Sequence, residues 1–320
     1  MTGDYGSNLH VFSIPLRITF RGLDVRQGAL VHGEAGWGEF SPFPEYGDDL
    51  AAPWWAAAVE AAEVGWPSPV RDRIPVNATV PAVLPSEVPA MLARFPGCSA
   101  AKVKVAQAGD SPADDQSRLR AVREVLGPAG RIRIDVNAGW DLETARVLLP
   151  RYDRAAQGLE YAEQPCASVE DLAALRRRVE VPIAADESIR LGDDPARVAK
   201  MGAADVAVLK VQPLGGVRAC LRIAEDIGLP VVVSSALETS VGIAAGVALA
   251  AALPELPYAC GLATAALLVR DVVDHPLVPV DGALAVARPE PDPAALAAAR
   301  ADEVAIAWWR RRLARVAQLA

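Results

Sequence analysis

Histidine is nearly missing from this chain of 320 residues. Only His10, His32 and His275 are present, all outside the strand–helix array described below, which argues against a histidine-based triad or a histidine-rich metal centre. The four cysteines, Cys98, Cys166, Cys220 and Cys260, form no C-x-x-C pair and stand near no histidine at zinc-ligand spacing, so they read as reduced, buried thiols. Met1 to His10 has neither a basic n-region nor an apolar h-region, and the expected location is cytoplasmic. The longest mostly apolar run of the C-terminal half, Val241 to Leu253, is too short for a membrane span and stops at Pro254-Glu255. A net charge of -8 speaks against a nucleic-acid partner and against an anionic membrane surface. The oligomeric state stays open, a monomer included.

Lysine is the scarcity that informs most. Of 32 cationic side chains only four are lysine, Lys102, Lys104, Lys200 and Lys210, and 28 are arginine. A chain that uses arginine wherever a positive charge suffices keeps lysine where a proton must be lost near neutral pH. Lys102, Lys104 and Lys210 fall at the ends of expected strands. Lys200 sits in the helical stretch Ala196-Arg197-Val198-Ala199-Lys200 and reads as a solvated charge.

What is there is a globular α/β pattern. Apolar residues make up 52% and charged residues 22%, enough for a large core in one large domain or two domains. Three short apolar runs between Ile132 and Asp186 each end in a carboxylate: Ile132-Arg133-Ile134 in Asp135, Gly158 to Ala162 in Glu163, and Val181 to Ala185 in Asp186. Segments with helical spacing lie between them, so the strands are parallel and joined by crossover helices. Expected strands are Val76–Val80, Ala101–Val105, Ile132–Val136, Gly158–Glu163, Val181–Asp186, Val206–Lys210, Leu229–Ser234 and Tyr258–Leu262. Helices are expected over Glu87 to Phe95, Asp114 to Leu126, Gly216 to Ile227 and Thr239 to Leu253. Eight such strands close into a TIM-like (β/α)7β barrel, an α/β fold, over about residues 73–269. Residues 1–72, with about 270–320, form a smaller α+β capping domain. In it the sequence predicts strands from His10 to Gly38, a loop between Gly22 and Gly28 carrying Asp24 and Arg26, a helix from Trp54 to Val64, and a last helix from Ala294 to Leu319.

Parallel strands bring their C-terminal ends to one face. There Asp135, Glu163 and Asp186 would converge, and uncompensated carboxylates need a hard cation. Each acid taken singly reads more readily as a surface charge after a strand. Their recurrence at matching places in successive units is what points to a site. Lys102 and Lys104, two apart, share one side of their strand, and Lys210 comes from the opposite wall. Such a set suits removal of the proton α to a carboxylate, the cation stabilising the enediolate. An amine beside another ammonium has its charged form disfavoured and can act as the base. Asn137, Ser234, Ser235, Gly261 and Leu262 stand at or just past strand ends, where a substrate would bind.

Lys102-Val103-Lys104, Asp135-Val136-Asn137, Glu163-Gln164-Pro165, Asp186-Glu187-Ser188 and Lys210 together resemble the muconate-lactonising subgroup of the enolase superfamily, over nearly the whole chain. The resemblance implies that Asp135, Glu163 and Asp186 bind Mg²⁺, for which Mn²⁺ can substitute, that Lys104 is the base, and that Lys210 faces it across a small carboxylate substrate. Within the subgroup, the short chain, Trp37-Gly38-Glu39-Phe40-Ser41-Pro42-Phe43 and Ser234-Ser235-Ala236-Leu237-Glu238 resemble the o-succinylbenzoate synthase family. That implies a dehydration in menaquinone biosynthesis, with Lys102 lowering the pKa of Lys104 and binding the carboxylate, and Lys210 acting by charge and cation–π contact. N-acylamino-acid racemase and muconate cycloisomerase remain open. A dipeptide epimerase, which resembles this subgroup, usually carries Asp-x-Asp at strand eight, where this chain reads Cys260-Gly261-Leu262-Ala263-Thr264. Remoter readings are a Schiff-base aldolase on Lys210 or Lys104 and a non-catalytic, cation-binding barrel. Selectivity is expected from the loops around Leu23 to Gln27 and Pro42 to Tyr46.

Overall fold

The structure is a computed structural model and describes residues 9–192 and 194–319. Residues 1–8, on which most of the N-terminal leader reading rests, lie outside them. The chain opens as an antiparallel meander of β1 (His10–Phe20), β2 (Leu23–Gly33) and β3 (Gly36–Phe40). Phe20 pairs with Leu23 across a two-residue turn, Arg21-Gly22, with φ of 55° and 72°. Two successive left-handed residues match the right-handed twist of the flanking strands, and glycine takes the second at no steric cost. The expected loop carrying Asp24 and Arg26 is therefore strand, because the ladder continues from Leu23, and the loop shrinks to the turn. Helix α1 (Asp48–Val59) begins earlier than Trp54. Pro53 lies inside it and hid the start, while Asp48 and Asp49 place negative charge on its N-terminal turn. A wider last turn, Glu60–Val64, stops at Gly65, as expected.

After β4 (Arg73–Pro75) comes the array of parallel strands. These are β5 (Ala78–Val80), β6 (Ala100–Lys104), β7 (Arg131–Asp135), β8 (Tyr161–Glu163), β9 (Ile183–Ala185), β10 (Val206–Leu209) and β11 (Val231–Val233), paired in sequence order. The helices between them are α2 (Val88–Leu92), α3 (Pro112–Leu126), α4 (Leu142–Ala156), α5 (Val169–Arg176), α6 (Glu187–Arg190), α7 (Arg197–Lys200) and α8 (Val217–Ile227). The last of the series, α9 (Ser240–Ala252), follows β11. Ser111, Asp141, Ser168 and Thr239 cap α3, α4, α5 and α9, each accepting a backbone N–H of the first turn that would otherwise go unpaired.

The eighth strand, expected over Tyr258–Leu262, is reduced to two single bridges, Cys260 to Val76 and Gly261 to Ser234. Those bridges close the barrel between its first and last strands. The Cys260 amide donates to Pro75 O at 2.7 Å and the Gly261 amide to Val233 O at 2.8 Å. The pleat divides the strand side chains between two apolar clusters. Ala162, Ile183, Ala185, Ala207, Leu209, Val231 and Val233 pack outward in the main core beneath the helices. Tyr161, Ala184, Val206, Val208 and Val232 form a separate cluster inside the barrel.

Past the barrel, β12 (Ala283–Ala285) pairs with β4, and α10 (Pro293–Ala299) and α11 (Glu303–Val316) end the fold. The single helix expected over Ala294 to Leu319 is broken. Arg300 bridges to Phe12, the Ala301 amide donates to Val11 O at 3.0 Å, and Asp302 then caps α11. Pairing with β1 thus outweighs continued helix. Trp309 on α11 is fully buried, edge-on to Phe40 at 5.8 Å, so α11 packs on the meander. Among the described residues no helix is long and apolar enough to cross a membrane.

Candidate active site

Strand parity assembles the site. Glu163 lies two past Tyr161, Asp186 two past Ala184, Lys210 two past Val208 and Ser234 two past Val232, and these four partners belong to the cluster inside the barrel. All four side chains therefore point into the barrel at the strands' C-terminal ends. Lys104 is paired with Asp135 in the β6–β7 register, and Asp135 with Glu163 in β7–β8, so one lysine and two acids stand side by side.

The cations and acids interleave. Lys102 Nζ donates to both carboxylate oxygens of Glu163 at 2.8 Å and lies 3.5 Å from Asp135 Oδ2. Lys104 Nζ donates to Asp135 Oδ2 at 2.5 Å and to Asn137 Oδ1 at 2.7 Å. Lys210 Nζ donates to Asp186 Oδ2 at 2.5 Å, and Arg190 Nε to Asp186 Oδ1 at 3.0 Å. Asp135, Glu163 and Asp186 are fully buried. Gln164 steadies the β8–β9 end: its Oε1 accepts the backbone N–H of Asp186 at 2.9 Å and of Ser188 at 3.1 Å.

The electrostatics separate the lysines. Burial would lower Lys102, but the charges of Glu163 and Asp135 outweigh it and hold its pKa above the usual lysine range. Lys104 goes the other way. Burial lowers it and the Lys102 charge adds to that, prevailing over Asp135 and Glu163. Glu163 is pushed up to about 7, by burial first and then by Asp135 and Asp186, despite Lys102.

Among the described residues no group of three or more His, Cys, Asp or Glu side chains is set as it stands to hold a metal ion. Each acid faces an ammonium instead, and the Lys102 ammonium takes the space between Asp135 and Glu163. The chemistry of the donor set still fits a hard divalent cation. Three buried carboxylates stand at adjacent strand ends, and burial first, then the charges of Asp135 and Asp186, raises Glu163 even in an ion pair.

A pocket with ≈ 560 Å³ of empty space, open mouth included, lies over these residues. Lys102, Lys104, Asp135, Asn137, Lys210, Ser234, Ser235 and Gly261 all line it. Leu262 does not. It is buried in the core, and a Cβ on Gly246 would come within 2.5 Å of its Cδ2. The expectation that Leu262 binds substrate is therefore corrected: Gly261 bridges to Ser234 at the pocket, while Leu262 packs into the core against Gly246 of α9. The chain from β1 to α1 supplies Phe20, Arg21, Phe43 and Trp54 to the pocket wall. The loop expected at Leu23 to Gln27 is strand, and from that part of the chain Phe20 and Arg21 line the pocket instead. Sequence reasoning also missed Thr79 and Arg190. Arg190, four residues after Asp186 in a helical turn, carried a readable i,i+4 signal.

Two family models match. One, described as enolase C-terminal domain-like, covers residues 88–292, and one described as enolase N-terminal domain-like covers residues 11–62. The o-succinylbenzoate synthase of Thermobifida fusca is 63% identical over 95% of this chain and 94% of its own. That of Mycolicibacterium smegmatis is 56% identical over 97% and 95%. Among solved structures, muconate cycloisomerase from Pseudomonas fluorescens superposes with a TM-score of 0.76 at 22% identity, covering 92% of this chain and 98% of that one. The L-Ala-D/L-Glu epimerase from Bacillus subtilis gives 0.75 at 22%, covering 88% and 96%. At that identity the structural likeness speaks for the fold alone, a (β/α)7β barrel under an N-terminal cap. The family models and the near-full-length identity go further: the chain belongs to the enolase superfamily and, within it, to the o-succinylbenzoate synthase family.

Proposed function

We propose that this enzyme carries out the syn dehydration of 2-succinyl-6-hydroxy-2,4-cyclohexadiene-1-carboxylate to 2-succinylbenzoate, a step of menaquinone biosynthesis. The observation that carries this reading is the pair Lys104 and Lys210, presented from different walls of one pocket beside three buried acids. Lys104, its charged form disfavoured, removes the proton α to the carboxylate. The electron pair moves into the carboxylate as an enediolate, and the Lys210 ammonium supports that charge from the other side. Collapse of the enediolate then breaks the carbon–oxygen bond at the ring hydroxyl, and the Lys104 ammonium returns its proton to the departing hydroxide, releasing water. Asp135, Glu163 and Asp186 would hold Mg²⁺, or Mn²⁺ in its place, which when bound stabilises the doubly charged carboxylate. Lys102 neutralises Glu163 and keeps a second positive charge near Lys104. The substrate is a small molecule. Four free thiols agree with a reducing, cytoplasmic setting.

The test is to incubate pure protein and Mg²⁺ with the diene and follow its absorbance. The reading expects conversion to 2-succinylbenzoate, lost on adding EDTA. A second reading, N-acylamino-acid racemase, is favoured by the same two-sided lysines, which could exchange an α-proton on either face. N-succinylamino acids in D₂O test it: exchange of the α-proton without any dehydration of the diene would reject the synthase and keep the racemase.

A further inference from the structure

We infer that Arg118, paired with Asp115 on α3, is a positioning residue that fixes the main chain of Lys104 from behind β6. The inference rests on Lys104 being the base. Both side chains are almost fully buried, at 2% and 1% exposure, and neither reaches the pocket. Arg118 Nη1 donates to the Lys104 carbonyl at 3.1 Å and to Asp115 Oδ1 at 2.8 Å. Its Nε donates to Val83 O, just past β5, at 2.7 Å, and its Nη2 to Asp110 Oδ2 at 2.5 Å. The other oxygen of Asp115 accepts the Ala106 amide at 2.9 Å and the Tyr152 hydroxyl of α4 at 2.8 Å. One buried ion pair therefore grips the carbonyl of Lys104 and the amide of Ala106, the peptide groups on either side of Val105. Ala106 has φ of 57°, so the chain turns sharply just where it is gripped.

A merely structural role explains this poorly. Helix α3 already has its own start, since Ser111 and Asp114 cap each other's backbone. An apolar pair would hold α3 against β6 at lower desolvation cost than a buried ion pair. What an apolar pair cannot do is bind main-chain polar groups at the point where the strand ends and the lysine begins its reach to Asp135 and Asn137. A shift of about 1 Å in that backbone can cost on the order of 100-fold in rate.

The experiment compares Arg118→Lys and Tyr152→Phe with wild type, using the whole protein, Mg²⁺ and the diene, with and without deuterium at the α-carbon. Lysine keeps the charge but not the fork that reaches both carbonyls, and phenylalanine keeps the ring that packs on Trp140 at 5.3 Å. The expected result for Arg118→Lys is a kcat lower by about 10-fold or more, a KM within about twofold, and an isotope effect at or above the wild-type value. Tyr152→Phe should show the same pattern at a few-fold, and decides the matter if Arg118→Lys does not fold. A folded variant with wild-type kcat, or a loss whose isotope effect collapses towards one, overturns the inference, since the damage then lies outside proton removal. Lys104→Arg is run alongside: wild-type turnover there sinks the base assignment itself, whereas a dead Lys104→Arg beside active Arg118 and Tyr152 variants sinks only the positioning role.

Discussion

Lys102 Nζ bridges the two carboxylate oxygens of Glu163 at equal distances of 2.8 Å. A lysine in the middle of β6 thus faces the middle acid of the cluster, and the next residue on that face, Lys104, is the one proposed to transfer the proton. The arrangement makes Lys102 a stand-in for part of the charge that a divalent cation supplies.

Removing that charge has a signature. Lys102→Ala leaves Glu163 buried without its ammonium, while Asp135 keeps Lys104, and loss of one partner of a buried pair costs about 3–5 kcal/mol. The thermal midpoint without metal should fall accordingly, and saturating Mg²⁺ should restore more of it in the variant than it adds to wild type. Equal Mg²⁺-induced shifts in the two proteins contradict this.

Lys104→Arg keeps a positive charge but cannot act as a base. Turnover of the diene should drop by roughly 10²–10⁴-fold while calorimetric Mg²⁺ affinity stays near wild type. Wild-type-like turnover removes Lys104 from the chemistry.

Much of the placement of this candidate site was readable because each of its residues sits at a fixed place in a repeating unit. Asp135, Glu163, Asp186 and Lys210 each end an apolar run, and a pleat of period two fixes where they point. The same logic misled at Leu262: the eighth strand is reduced to two bridges, and past Gly261 the Leu262 side chain packs into the core. Contacts that cross the chain left no local mark. Arg21 reaches the pocket because a turn of two residues ends β1, and the break between α10 and α11 exists because Arg300 and Ala301 pair with β1.

Gly38 shows a glycine chosen for close approach. A Cβ there would lie 2.1 Å from the carbonyl oxygen of Ala58, where β3 packs on α1. Gly38→Ala must push helix and strand apart and should destabilise the protein by about 1–3 kcal/mol in urea unfolding, with folded-state turnover changed far less. An unchanged midpoint contradicts the packing.

Glu39 links the meander to the barrel. Its carboxylate accepts from Ser41 Oγ at 2.6 Å and from the Thr239 and Gly242 amides at 3.1 Å, at the start of α9. Burial, then Glu238, raise it from 4.5 to about 7. A carboxyl whose folded pKa is raised binds more protons folded than unfolded. Its contribution to stability is full below about 4.5 and declines as the pH rises to about 7. Thermal midpoints between those values should fall less with pH in Glu39→Gln than in wild type. Parallel curves for the two proteins contradict the shift.

The most direct measurement is an anomalous-scattering map of crystals soaked in Mn²⁺. The account predicts one peak touching carboxylate oxygens of Asp135, Glu163 and Asp186 together, with the Lys102 ammonium moved off Glu163 and Lys104 still facing the pocket. A map without that peak, the three acids still held by their lysines, would contradict it.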